Sequence, residues 1–313
     1  VRFSFTRKFV PFAVVAALMV FVGGCWLNDD DEVVATAADP VAPWTATAVA
    51  APWLDNNPVV NKHDGGWVYS AREDRLYALY GSDNSGRTLY RINHIDNSST
   101  VAAYFTFNLH GSHPVIDDTG TNLYLLGVST SDFARFNTVD NTVASLADAP
   151  DAGMFAHGAW KGGKFWVVLD DYSLYSYSAA DNAWSSALQT LTSKANVATS
   201  GPGSNLVYIL QDNTSFYSYN TVDNTFTTLA PIPNPFDLGG NSQMTWFGAA
   251  TGFIYARDSA NSDNGAIFDI AAGTWHALSD PKVSDDYDGH ATYDSARRRL
   301  YFTAVDNAWY YQF

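Results

Sequence analysis

One pattern of three strand-like runs keeps returning along this chain, and nothing else in the sequence narrows the fold as much. Its clearest copy is Lys164 to Leu191, KFWVVLDDYSLYSYSAADNAWSSALQTL: an apolar run, an alternating aromatic run ending in Asp-Asn, then a run opened by Trp184. The first run of each copy carries an aromatic anchor: Tyr77 in RLYAL, Tyr124 in NLYLL, Trp166 in KFWVV, Tyr208 in LVYIL, Tyr255 in FIYAR and Tyr301 in RLYFT. After each anchor comes an alternating run, as in TLYRIN, FARFN, SLYSYS, SFYSYN, AIFDI and AWYYQF. Four of these lead into Asp-Asn, at Asp96-Asn97, Asp140-Asn141, Asp181-Asn182 and Asp223-Asn224, and a fifth into Ala272-Gly273. Such pairs tolerate the positive φ of a tight hairpin. The next run opens with Val101, Val143, Trp184, Phe226 or Trp275, and a shorter strand precedes each anchor.

Each copy is thus a four-stranded antiparallel unit, with strands A to D from the inside out. The anchors lie 42 to 47 residues apart, the interval of propeller blades. The last unit has strands A (His290–Asp294), B (Arg299–Ala304) and C (Ala308–Gln312), and the chain ends without a D. The segment Trp44 to Pro52, WTATAVAAP, has the look of the D strand FTTLAP at Phe226–Pro231. It is expected to supply the missing strand, which would close the ring and protect its edges. The expected fold is all-β: a six-bladed β-propeller over residues 43–313.

The third and fourth strands resemble the kelch motif: an aromatic on strand C, a polar turn, then Trp on strand D, as in Tyr177…Trp184 and Phe268…Trp275. The double glycine that kelch repeats carry after strand B is absent, and so is any Gly-His…Trp-Asp signature. Composition agrees with a turn-rich fold. The acidic side chains are nearly all Asp, with Glu32 and Glu73 the only glutamates; Asp favours turns and caps.

The first 25 residues read as a targeting segment. Arg2, Arg7 and Lys8 precede an apolar run, Phe9 to Val22, too short for a membrane span of about 20 residues. Val22-Gly23-Gly24-Cys25 follows and resembles the lipobox of bacterial lipoproteins. That resemblance implies a signal peptide over 1–24 and lipid on Cys25, the chain's only cysteine. No internal disulfide or CxxC metal site can form. Trp26 follows Cys25 where an Asp often signals inner-membrane retention, which points to the outer membrane. Residues 25–42, acidic and then Ala/Val/Pro-rich, read as a tether. Loss of residues 1–24 removes three positive charges and no negative ones, taking the formal charge from −15 to −18. So acidic a domain repels nucleic acid, and contact with the membrane is expected through the lipid alone.

Short A–B and C–D turns share one face of such a ring, and longer D–A and B–C loops the other, at Ala51–Gly65, Asp148–Ala156, Pro231–Asn241 and Ser279–Gly289. Binding is expected on the looped face. There His113, His157 and His290 fall at one blade position, the start of the innermost strand; Asn196 and Gln243 lie at or beside it, and His63 is close to it. Ringed imidazoles could hold a ligand or a transition metal, or each could cap its own strand. Asp170, Asp212 and Asp288, with Asp83, Asp171, Asp258, Asp285, Asp286 and Asp306, could form an acidic rim or simply turns. Arg297-Arg298-Arg299 reads as a solvated A–B turn.

No HExxH, GxSxG or P-loop occurs. Glu73 falls in an A–B turn, away from the looped face. The reading is therefore a monomeric, envelope-anchored binding module for a protein or glycan, needing no cofactor. A carbohydrate-active enzyme using His and Asp at the channel mouth is the alternative.

Overall fold

In the computed structural model of the chain, the described residues are 43, 46, 49–51, 66–79, 86–109, 111–153, 156–201, 203–211, 215–232, 243–248, 252–257, 264–279, 291–304 and 307–313. They form six small antiparallel sheets arranged as a ring, a six-bladed β-propeller, with no α-helix among them. Strand β1 (Val49–Ala50) comes first. Blade 1 is β2 (Trp67–Ser70), β3 (Arg75–Leu79), β4 (Thr88–Ile92) and β5 (Ser99–Tyr104). Blade 2 is β6 (Val115–Ile116), β7 (Asn122–Leu126), β8 (Phe133–Asn137) and β9 (Thr142–Ser145). Blade 3 is β10 (Ala159–Lys161), β11 (Lys164–Val168) and β12 (Ser173–Ser178), with its outer strand split into β13 (Ala183–Trp184) and β14 (Gln189–Thr190). Blade 4 is β15 (Ala195–Thr199), β16 (Leu206–Gln211), β17 (Ser215–Asn220) and β18 (Phe226–Thr228). Blade 5 is β19 (Gln243–Phe247), β20 (Phe253–Arg257), β21 (Asn264–Asp269) and β22 (Thr274–Ser279). Blade 6 is β23 (Ala291–Asp294), β24 (Arg299–Ala304) and β25 (Asn307–Gln312), and its outermost strand is β1.

Blade 6 therefore joins the two ends of the domain. Val49 pairs with Tyr310 and Ala50 with Trp309, and the Ala51 amide donates to the Ala308 carbonyl at 2.7 Å. The described closing strand is shorter than the expected Trp44–Pro52; Trp44 and Pro52 lie outside the described residues.

The core has no single centre. Each apolar cluster mixes side chains of two neighbouring blades: Tyr208 and Phe216 with Phe268 and Trp275, or Ala51, Trp67 and Leu76 with Tyr301 and Ala308. The remaining clusters fill the other seams in the same way. A blade is thus covered on both faces, and its second strand reads as a continuous apolar run rather than an alternating one. All six aromatic anchors are buried. Trp184 and Trp275 reach back to the preceding blade, their indole N–H groups donating to the Ala147 and Ala230 carbonyls at 2.9 and 3.0 Å.

The Asp-Asn pairs behave as their chemistry requires. Asn97, Asn141, Asn182 and Asn224 all have φ between 49° and 59°, and Gly273 takes the same role at 67°. Each left-handed residue turns the chain between the third and fourth strands. In two blades the turn is tied to the core: Tyr177 Oη donates to Asn182 Oδ1 and Tyr219 Oη to Asn224 Oδ1, both at 2.7 Å.

Candidate functional site

The innermost strands of all six blades, β2, β6, β10, β15, β19 and β23, wall a central channel of about 370 Å³. Residues along these strands line it, among them Ala159–Lys161, Val197–Thr199 and Met244–Trp246. Trp67, Tyr69, Trp160, Trp246 and Tyr293 are among the lining residues; Trp246 and Tyr293 are half-buried, whereas the other three are buried, Trp160 stacked on Tyr124 of blade 2. Small residues between them, Gly158, Ala159, Ala198 and Ala291, keep it open.

His113 and His157 stand at the start of the innermost strands of blades 2 and 3, in the channel lining, and both are buried. Their rings stack, with centroids 3.4 Å apart and planes at 29°. Gly66 makes this packing possible: a Cβ there would stand 2.6 Å from His113 Nδ1 and 2.7 Å from the Ser112 carbonyl. The His157 carbonyl accepts from the Val197 amide of blade 4 at 3.0 Å, so the backbone as well as the ring is shared between blades. The lone pairs of an imidazole lie in its ring plane. Two stacked rings hold theirs side by side rather than converging, and the Nε2 atoms of both are buried, so the pair is not arranged as two ligands of one ion.

The other sequence candidates are scattered. Asn196 is buried on β15, opposite Leu210, and is not in the channel lining. Asp170 sits in the turn between β11 and β12, where Lys194 Nζ lies 3.4 Å from its carboxylate. Neighbouring Asp171 is a turn former, accepting from the Ser173 amide and from Tyr175 Oη. His290, Asp212, Asp288 and Cys25 lie outside the described residues, as do His63 and much of the looped face, including 52–65, 233–242 and 280–290.

The channel also holds groups that the sequence reading did not single out. Lys161, at the end of β10, donates to the Ser200 and Gly201 carbonyls at 3.2 and 2.8 Å. Among the described residues no carboxylate stands within ion-pair distance of it, and burial pulls its pKa down, opposed by the charge of Asp118. Ser200 Oγ and Trp67 Nε1, on residues also in the lining, are buried and have no hydrogen-bond partner among the described residues. Asp117, by contrast, is saturated: it accepts from Thr119 Oγ1, the amides of Thr121 and Asn122, and Asn122 Nδ2. The only sequence signal for Lys161 was its place just before the Gly162-Gly163 turn; its position on the channel wall follows from the ring.

A second polar cluster lies on the seam between blades 6 and 1, on the short-turn face. Arg297 was expected to be solvated. Instead its Nη1 and Nη2 donate to Asp74 Oδ1 and Oδ2 at 2.6 and 2.8 Å, and Nη1 reaches Asp294 Oδ2 at 3.0 Å. The fork bridges two blades, which a turn viewed in isolation does not reveal. His94 Nε2 faces the same two oxygens at 3.6 and 3.8 Å, and Tyr69 Oη donates to Asp74. Asp74, His94 and Asp294 together have a metal-like spacing, with ligand atoms within 4.8 Å of one another. However, Arg297 Nη1 already bridges the two carboxylate oxygens, so the guanidinium fills the cation position. Hydrogen bonding from Arg297 holds the Asp74 carboxyl well below the usual carboxylate range, and burial lowers His94.

No protein family matches the chain, and no curated protein does. Among solved structures, a structural-genomics protein of unknown function from Bacteroides thetaiotaomicron superposes with a TM-score of 0.59 at 12% identity, over 84% of this chain and 74% of that one. The likeness is one of fold. It carries the propeller and leaves the chemistry to the residues of the channel.

Proposed function

We propose that this propeller is the binding module of a bacterial envelope lipoprotein of kelch-like type, and that its channel receives the end of a glycan. The carrying observation is the channel itself. Its volume of about 370 Å³ falls within the 300–1,000 Å³ typical of small-molecule sites. Trp246 and Tyr293, half-buried in its wall, offer aromatic surface of the kind that stacks on the apolar faces of sugars, and Lys161 offers a hydrogen-bond donor. The β-propeller fold fits a binding module, and long loops around a rigid ring would extend recognition to the rest of a partner.

The test is to plug the channel. Thr199, half-buried in the lining of blade 4, is replaced by Trp. Wild-type protein is expected to retain a discrete set of glycans on an array, and Thr199→Trp to lose them at an unchanged melting temperature. Equal retention by the plugged variant would move binding to another surface. The anchor is tested separately. Cys25→Ala, or globomycin treatment, is expected to shift the protein from the membrane to the soluble fraction; unchanged fractionation rules out lipid attachment at Cys25.

A further inference from the structure

The unpaired chemistry of the channel is one-sided. Lys161 brings a positive charge to the wall, held only by two neutral carbonyls. An ammonium has three N–H donors and no acceptor, so a third donor remains after those two bonds. The Ser200 hydroxyl and the Trp67 indole N–H belong to lining residues but are themselves buried beneath the wall and do not face the channel. The donor offered to the channel is therefore Lys161. Of the two carboxylates in the lining, Asp117 is consumed by its own turn, and Asp118 is exposed. Among the described residues, neither carboxylate stands within ion-pair distance of Lys161.

The Lys161 N–H left over at the wall favours an acceptor-rich guest. The whole protein is strongly acidic, at −15, and its general field repels anions. A positive group placed in the wall therefore acts locally, at short range, where field lines are focused by low-dielectric surroundings. We infer that the channel selects a saccharide bearing a carboxylate, with Lys161 Nζ meeting the carboxylate. Burial lowers the Lys161 pKa against the opposing charge of Asp118, and a carboxylate bound at Nζ would add to that opposition. This inference rests on the channel being the binding site.

The experiment uses pairs of sugars that share a ring and differ in the carboxylate: D-glucuronate against D-glucose, and D-galacturonate against D-galactose. Binding is measured by titration calorimetry with the whole folded domain. Hydrogen bonds to charged groups are worth about 1.5–3 kcal/mol. Wild-type protein is therefore expected to prefer an acid over its neutral partner by about tenfold or more. Lys161→Gln is expected to abolish the preference, and Lys161→Arg to keep most of it. Because Lys161 also ties two carbonyls, the Arg variant serves as the folding control. Raising the salt concentration should weaken acid binding and leave neutral binding unchanged. Equal affinities within each pair, or a preference that survives Lys161→Gln, overturn the role of Lys161 while leaving the channel intact as a site. Binding of either sugar that persists in Thr199→Trp overturns the channel reading as well. Failure of both acids to bind at about 10 mM, some tenfold above a millimolar Kd, overturns the acidic-sugar inference, while the glycan array continues to decide on the channel.

Discussion

Arg297→Met cuts the polar tie across the seam where the ring closes. The side chain keeps its length and apolar stem and loses the fork. Three charged hydrogen bonds disappear, two to Asp74 and one to Asp294. The loss lies between two limits. A solvent-exposed pair is worth about 0–1 kcal/mol, whereas removing one partner of a buried pair costs about 3–5 kcal/mol. The Asp74 side chain is 40% exposed and can rehydrate, but the Asp294 side chain is at 0%. Asp294 does keep the Ala296 and Arg297 amides as donors. A cost of about 2–3 kcal/mol follows, or a fall in melting temperature of about 5–10 °C at about 2–4 °C per kcal/mol. Arg297→Lys keeps the charge without the bidentate geometry and should fall between. The pH dependence has a definite sign. The folded Asp74 carboxyl has a depressed pKa, so its contribution is fully present above the unfolded carboxylate value of about 4. That contribution is lost as pH falls through the folded value. The difference between wild type and Arg297→Met should therefore be constant near neutrality and shrink in acid below about pH 4. Thermal melts followed by circular dichroism at pH 7 and in an acid series measure both effects. A variant melting within about 1 °C of wild type at pH 7, on the same scale of 2–4 °C per kcal/mol, would show that the seam is held by apolar packing alone.

Asn182 tests the turn chemistry. Alanine there would meet a φ of 49° and remove the acceptor of the buried Tyr177 hydroxyl, for a loss of about 2–4 kcal/mol in a chemical melt. Asn182→Gly keeps the backbone freedom and should lose only the hydrogen-bond part, about 1–2 kcal/mol; equal losses would mean that φ is not the constraint. At Gly66, a Cβ would press on the His113 ring and on backbone at 2.6–2.8 Å. Gly66→Ala should cost about 1–3 kcal/mol and disturb the stacked histidines, seen as changed ring-proton shifts of both His113 and His157 by NMR. Unchanged shifts would refute the packing argument.

Much of this architecture was legible because a propeller blade is a local object. Its strands follow one another in the chain, its turns need residues that tolerate positive φ, and its second strand is apolar on both faces. The spacing of Tyr77, Tyr124, Trp166, Tyr208, Tyr255 and Tyr301 therefore carried the blade number, and the Asp-Asn pairs carried the hairpins. Even the closure was readable, since a three-stranded last unit needs a fourth strand from somewhere. Position on the ring was less accessible. That His113 and His157 occupy matching places in successive blades could be read from alignment; that their rings stack depends on Gly66 of a third blade.

Charged groups were the least legible, because their meaning depends on what faces them. Arg297 looked like one of three arginines on a solvated turn, and only the meeting of the chain's two ends brings Asp74 to it. Lys161 carries no mark in the sequence beyond its place before Gly162-Gly163, and only the convergence of six blades makes it a positive charge in a channel wall. Repeat, turn and apolar pattern act between residues near in sequence, so the sequence by itself determined the blades. Which polar groups meet across the seam and around the axis depends on the ring's closure, and that was decided only by the tertiary structure.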